Sequence, residues 1–301
     1  MDLRTIAQAL GGEVASGQVL APAPGHSPRD RSLSVKLSPT APAGVVVHLF
    51  AGGDVLAAKD HVLATLGLRR TRRPVGEERT AAKPPIARPD ETARTRRALE
   101  IWDEARDPEG SPVLIYLRSR GIALPDGAAG AAVRFHPSCP FAGPIRTPAM
   151  VCLVRDVLTD APKAIHRTAL DRDGRKVEIS GKSRLALGAV AGGAIKFTAE
   201  SDVAGCLGVG EGVESALSLQ LVPEFGRSPV WSLLSANGIE RLPVLPGIES
   251  LWLAVDHDDA GLRASRVCSD RWERAGIETY LVRPRAPGSD LNDVVGAASD
   301  A

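Results

Sequence analysis

The chain has 301 residues, enough for two domains or three small ones, with 37 Lys and Arg against 36 Asp and Glu and a formal net charge of +1; a chain-wide basic field is excluded, so any nucleic-acid site must be a local patch. Its 44% hydrophobic content supports real cores, while 4% aromatics means they are built from Ala, Leu and Val. No run of about 18 apolar residues and no signal-peptide-like N-terminus occur, so a cytoplasmic location without a membrane partner is expected, and the dispersed Cys139, Cys152, Cys206 and Cys268 form no Cys-x-x-Cys unit for zinc and no disulfide framework.

In chain order, residues 1–68 read as a small module. A short helix with Leu3, Ile6, Ala7 and Leu10 on one side stops at Gly11-Gly12. Strands follow at Ser32–Val35 and Val45–Phe50, then a helix from Val55 to Leu66. Residues 69–91 form a basic, Pro-rich linker opening on Arg69-Arg70-Thr71-Arg72-Arg73. Residues 92–200 read as an α+β unit. It has a helix from Thr92 to Arg106, a second from Val113 to Arg120 entered through Ser111-Pro112, and antiparallel strands at Ala149–Val154, Lys163–Leu170 and Lys176–Ile179. The turn Asp171-Arg172-Asp173-Gly174 joins the last two strands.

Residues 201–301 alternate short apolar runs with amphipathic stretches. The runs are Cys206–Gly210, Val230–Leu234 (ending at the turn signal Asn237-Gly238), Leu251–Val255 and Thr279–Val282; helices are expected over Val213–Leu221 and Leu262–Ala275. This pattern predicts a parallel sheet flanked by helices, with ligands beyond the carboxyl ends of the strands. Glu211, Asp256 and Asp258 all fall at such ends. Like charges ~4 Å apart repel by ~1 kcal/mol in water and ~4 kcal/mol at an effective dielectric of ~20. Their pKa values therefore rise or a cation sits between them, and all-oxygen donors favour Mg²⁺ or Mn²⁺.

Glu211-Gly212, Asp256-x-Asp258 with Ala260-Gly261, and Asp290-x-Asn292-Asp293, in that order, resemble the Toprim domain shared by DnaG-type primases, topoisomerases and phage or plasmid primase-helicases. The resemblance implies acid–base or metal chemistry for Glu211 and metal binding against phosphate oxygens for Asp256 and Asp258. Asp290 and Asn292 would be supplementary metal ligands and Asp293 a neighbour of them. Two departures stand out: Ser215 occupies a position usually held by Asp, with Glu214 one place early, and Asn292 replaces the second Asp of the later pair.

Tyr116-Leu117-Arg118-Ser119-Arg120-Gly121-Ile122 resembles the segment that opens the primase catalytic core. Its Arg118 and Arg120 either face template or pair with carboxylates. With them, Lys163, His166, Arg167, Lys182 and Arg184 are expected to form a local basic wall for nucleic acid. The N-terminal region resembles the zinc-ribbon module of primases, but Ala21, Ala23, Leu49 and Gly53 stand where its cysteines would be. Only His26 and His48 remain, so a metal-free remnant is expected and no zinc.

Together these resemblances imply a primase-like protein of a plasmid, phage or integrated element. It would act with Mg²⁺ on single-stranded DNA and nucleoside triphosphates, beside a separate replicative helicase, because no Gly-x-x-x-x-Gly-Lys-Ser/Thr loop is present. A Toprim nuclease and a non-catalytic DNA-binding or helicase-loading factor are the alternatives. A topoisomerase is disfavoured, since the two tyrosines, Tyr116 and Tyr280, fall in a predicted helix and strand.

Overall fold

The computed structural model describes residues 2–15, 17–37, 43–50, 55–68, 89–284, 288 and 291–292. The expected linker up to residue 88, and the expectations for Gly53, Asp290 and Asp293, lie outside the described residues.

Two sheets organise the chain. In the first region α1 (Leu3–Leu10) is capped by the Asp2 side chain, which accepts from Thr5 N, and ends on Gly11 at φ 64°, the left-handed conformation glycine adopts without strain. Strands β1 (Glu13–Ala15), β2 (Gln18–Ala21), β3 (Leu33–Leu37) and β4 (Val45–Leu49) form an antiparallel sheet in sequence order, and α2 (Val55–Thr65) follows. Ile6, Val19, Leu33, Val35 and Val62 fill its core. Ala21, Ala23 and Leu49, expected from the resemblance to stand at zinc-ribbon cysteine positions, are buried members of the same apolar cluster. His26 pairs with Asp30 at 3.2 Å, whereas His48 stacks on Tyr280, so the two histidines have separate partners.

The second region begins with α3 (Pro89–Glu104) and α4 (Pro112–Ser119), the latter capped by Ser111 and entered through Pro112. Then come β5 (Val133–Pro140), β6 (Arg146–Asp156), β7 (Pro162–Ala169), β8 (Arg184–Gly188), β9 (Gly193–Lys196), β10 (Gly205–Gly210), α5 (Val213–Ser218), β11 (Val230–Ser232), α6 (Ala236–Arg241), β12 (Ile248–Ala254), α7 (Asp259–Arg274) and β13 (Glu278–Val282). They build one sheet in the order β13-β12-β10-β11-β9-β6-β7-β8, with β5 also on β6. β13, β12, β10 and β11 run parallel. β9 joins them antiparallel to β11 and also pairs with β6, so the sheet runs unbroken past residue 200. Every residue of β10 and β12 is buried, as the unbroken apolar runs require for strands covered on both faces.

Two local expectations are corrected. Lys176–Ile179 is not a strand; the partner of β7 is β8, at Arg184–Gly188. The Asp171 carboxylate accepts from Asp173 N and Arg175 N, and Gly174 (φ 78°) closes the turn there. Only single bridges then form, Leu170 with Lys176 and Ile179 with Lys182. Ser180 (φ 51°) and Gly181 (φ 74°) turn the chain again before the ladder starts. Asn237-Gly238 lies inside α6, whose cap is Ser235. A Cβ on Gly238 would sit 2.0 Å from the Leu233 carbonyl oxygen, so this glycine serves close approach and not a hairpin.

The N-terminal sheet packs against the β13 edge of the larger one. Lys59 of α2 forms a buried pair with Glu249 of β12, and Lys36 reaches Glu278 at 3.6 Å. The His48 ring stacks on Tyr280 at 4.3 Å, Tyr280 on Trp252 at 4.5 Å, and Trp252 meets Phe225 at 5.5 Å. No described helix is long and apolar enough to cross a membrane.

Candidate active site

The site forms where β10 and β12 end. The two strands are parallel neighbours with Gly210 opposite Ala254. Glu211, one residue past the first, and Asp256, two past the second, therefore emerge at the same sheet edge. Gly210 lets α5 settle on its strand, since a Cβ there would lie 2.7 Å from Ala216 N. Past β12 the Asp258 side chain caps α7, accepting from Gly261 N at 2.7 Å. Gly261 has no room for a Cβ, which would stand 2.5 Å from the Asp256 carbonyl oxygen.

Charge accumulates here. The Glu211 carboxyl is pushed up to about 7, first by burial, then by the negative charges of Asp256 and Asp258, with the Ala236 backbone N–H working the other way. The structure thus brings Glu211 into the neighbourhood of Asp256 and Asp258, which lie far from it in the sequence. Ser215 donates to Asp256 Oδ1 at 3.1 Å, and Ser232 donates to the Glu211 carbonyl at 2.9 Å.

A cavity of about 270 Å³ opens beside them, lined by Glu211, Glu214, Ser215 and Asp256 together with His166 and Arg184. Glu214 is only 3% exposed at its side chain; its Oε1 accepts from Arg184 Nη2 at 2.7 Å and from the Tyr116 hydroxyl. Burial opposes its ionisation, but Arg184 and the Tyr116 hydrogen bond outweigh it, and the carboxyl ends below its usual range. His166 is held down to about 4 by burial and then by Arg184, so its imidazole is neutral at pH 7; its Nδ1 is enclosed with no hydrogen-bond partner.

The expected basic wall is only partly assembled. His166 and Arg184 line the cavity. Arg167, adjacent on β7, projects the opposite way, donates to the Pro140 carbonyl and lies 5.8 Å from the centre of the Phe141 ring, 6% exposed. Lys163 is held by Asp156 at 3.1 Å and the Ala191 carbonyl at 2.8 Å. Lys182 and Arg118 are exposed, and Arg120 is partly buried. Asn292, expected as a metal ligand, is 3% exposed and donates its amide to the Arg120 carbonyl at 2.8 Å and Ser218 Oγ at 3.1 Å. It ties the C-terminal turn to α4 and α5.

Sequence reading missed the Tyr116–Glu214–Arg184 unit. Its one visible signal was the acidic residue displaced by one place from position 215. One step along a helix is about 100° of rotation, which turns Glu214 to Arg184 and leaves Ser215 facing Asp256.

Among the described residues no three His, Cys, Asp or Glu side chains crowd closely enough to enclose a metal unaided. The donors nevertheless fit magnesium, which keeps several waters and needs only one or two carboxylates beside substrate phosphates. Asp256, Asp258 and Glu211 supply oxygen alone, and their mutual repulsion is relieved by a cation.

Residues 206–301 match the Toprim domain family, and residues 92–197 match a domain of unknown function (DUF7146). No curated protein matches the chain. Among solved structures, the Aquifex aeolicus primase fragment with zinc-binding and RNA polymerase domains is 16% identical, with TM-score 0.44 over 99% of this chain and 80% of that one. The primase fragment of the bacteriophage T7 primase-helicase protein is 16% identical (TM-score 0.41; 61% and 70% covered). A Pseudomonas aeruginosa DNA primase domain is 14% identical (TM-score 0.42; 67% and 74% covered). The motif order, the parallel strands β10 to β13 and the family match agree: from Cys206 onward the chain is a Toprim domain.

Proposed function

We propose that the protein is a primase-like nucleotidyltransferase that joins ribonucleotides into short primers on single-stranded DNA with Mg²⁺ and belongs to a mobile element. The observation that carries this reading is that Glu211 and Asp256 leave neighbouring parallel strands at one sheet edge and line one cavity, with Asp258 two residues further along the same turn. The Tyr116–Ile122 segment supports primase over other Toprim chemistry. In the same reading residues 1–68, 69–91, 92–200 and 201–301 are a zinc-ribbon-like remnant, a linker, a primase-like subdomain and the Toprim domain. Single-stranded template, nucleoside triphosphates and a separate helicase are its partners.

Asp256 and Asp258 would hold the metal, which supplies charge neutralisation for the phosphate oxygens. Glu211, at the same sheet edge, can take a proton from an attacking hydroxyl. Arg184, in the lining of the same cavity, would meet phosphate, and neutral His166 can offer a hydrogen bond without adding charge.

Primer synthesis with Mg²⁺, ribonucleotides and a single-stranded template tests this. Activity reduced by about 100-fold or more in Asp256→Ala is the expected outcome; synthesis unaffected by that change sinks the assignment. Ser215 in place of an acidic residue favours one second reading, a non-catalytic DNA-binding or helicase-loading factor. It is identified by template binding without turnover.

A further inference from the structure

Arg184 lines the same cavity as Asp256, yet its own strand does little to fix it. β8 is the last strand of the sheet, its burial pattern has no fully buried residue, and the Arg184 side chain is 40% exposed. An arginine there can sweep a wide arc. What holds it is a carboxylate almost wholly out of water, Glu214, on α5 immediately after the Glu211 turn.

That carboxylate is itself fixed from a third place in the chain: Tyr116 of α4 donates to the same oxygen, Oε1, that accepts from Arg184 Nη2. Three elements distant in sequence therefore meet at one atom. Glu214 remains ionised because Arg184 and Tyr116 outweigh its burial. Nη2 is the guanidinium nitrogen that meets Glu214 Oε1, and the guanidinium also lies against the Tyr116 hydroxyl; the remaining N–H donors of the fork suit phosphate oxygens.

We infer that Glu214 is a positioning residue: together with Tyr116 it locks the Arg184 guanidinium at the wall of the cavity that Glu211 and Asp256 also line, where it grips the phosphates of an incoming nucleoside triphosphate. The inference rests on the nucleotide-binding reading proposed above. It assigns to this chain a device in which the acidic residue displaced by one place no longer serves metal and instead orders the phosphate-binding arginine.

Titration of ATP with Mg²⁺ into the full chain by calorimetry tests it without requiring turnover. Arg184→Met is expected to weaken binding by about tenfold or more, Glu214→Gln to approach that loss, and the double variant to be no worse than Arg184→Met alone, because the two act through one contact. Tyr116→Phe, which removes only a hydroxyl, is expected to weaken binding by a few-fold, and it serves as the readout where Glu214→Gln does not fold. A purely structural role predicts lower melting temperatures with unchanged ATP affinity. That result, or independent losses that add in the double variant, overturns the inference while leaving the primase reading intact. A wild-type chain that binds no ATP overturns both.

Discussion

At the level of single residues, the site stores repulsion. Burial, and after it the charges of Asp256 and Asp258, hold the Glu211 carboxyl near 7, and removing one negative charge relieves part of that. In metal-free buffer with chelator, Asp256→Asn is therefore expected to melt as high as wild type or higher, by about 0.5–1 kcal/mol, since functional sites are often locally unfavourable. The amide oxygen can still accept from Ser215, which sits 3.1 Å from Oδ1 in the wild type. Magnesium at ~100 times its Kd stabilises a single-site binder by about 2.7 kcal/mol, and Asp256→Asn is expected to forfeit more than half of that gain. Thermal melts of both proteins with and without magnesium decide it; an equal magnesium shift in the two places the ion elsewhere. Glu211, Asp256 and Asp258 were legible from sequence because a strand end is where an apolar run stops. Glu214 was not. Its partners, Tyr116 and Arg184, lie 98 and 30 residues away, and a hydrogen bond across that distance leaves no local pattern. Arg167 misled for a related reason: its charge suggested solvent, but alternation along β7 turns it inward from His166, where the Pro140 carbonyl and Phe141 receive it.

Among the elements, the turn from β12 into α7 sets the carboxylate geometry, and Gly261 is its tightest point. Alanine is the better helix former by about 1 kcal/mol. Here, however, the added methyl would lie 2.5 Å from the Asp256 carbonyl oxygen, a backbone atom that cannot rotate aside. Overpacking of that kind typically costs about 1–3 kcal/mol, so Gly261→Ala is expected to lower stability in urea unfolding and to weaken magnesium binding by displacing the Asp256–Asp258 turn. A variant as stable as wild type with unaltered magnesium affinity would show that the turn yields freely. Strands β10 and β12 and helix α7 were readable because burial on both faces demands apolar runs and a helix demands its own period. Strand β8 was misplaced because Lys176–Ile179 follows a good turn signal, and only the second turn at Ser180 and Gly181 delays the ladder. Asn237-Gly238 misled in the same way, because the constraint on Gly238 comes from Leu233 packing against it.

For the whole molecule, docking of the N-terminal sheet onto the Toprim edge was invisible in sequence. Lys59 with Glu249 and His48 with Tyr280 are contacts between segments about 190 and 230 residues apart, and neither segment carries a pattern announcing the other. The joint has a pH signature. His48, 9% exposed, is held down to about 4, first by burial and then by Lys36 of β3. From the other side it faces Tyr280 and the cavity wall that includes Glu278 of β13 and Phe50. An unfolded histidine takes up its proton near pH 6.5, whereas folded His48 resists until about 4. Between those values the unfolded state binds more protons, so stability rises with pH across the window and is lost as pH falls from 6.5 towards 4. A tenfold difference in proton affinity between the two states is worth ~1.4 kcal/mol, so the loss attributable to His48 reaches at most about 3 kcal/mol near pH 4. Replacement by phenylalanine keeps a ring against Tyr280 and removes the proton site. His166 and the carboxylates titrate in both proteins, so the difference between wild type and His48→Phe isolates the one group. Urea midpoints at pH 7, 6, 5 and 4.5 are expected to favour His48→Phe increasingly as pH falls; a constant difference across the series would mean that the ring is not enclosed against Tyr280 in solution and that the N-terminal sheet is not docked on β13.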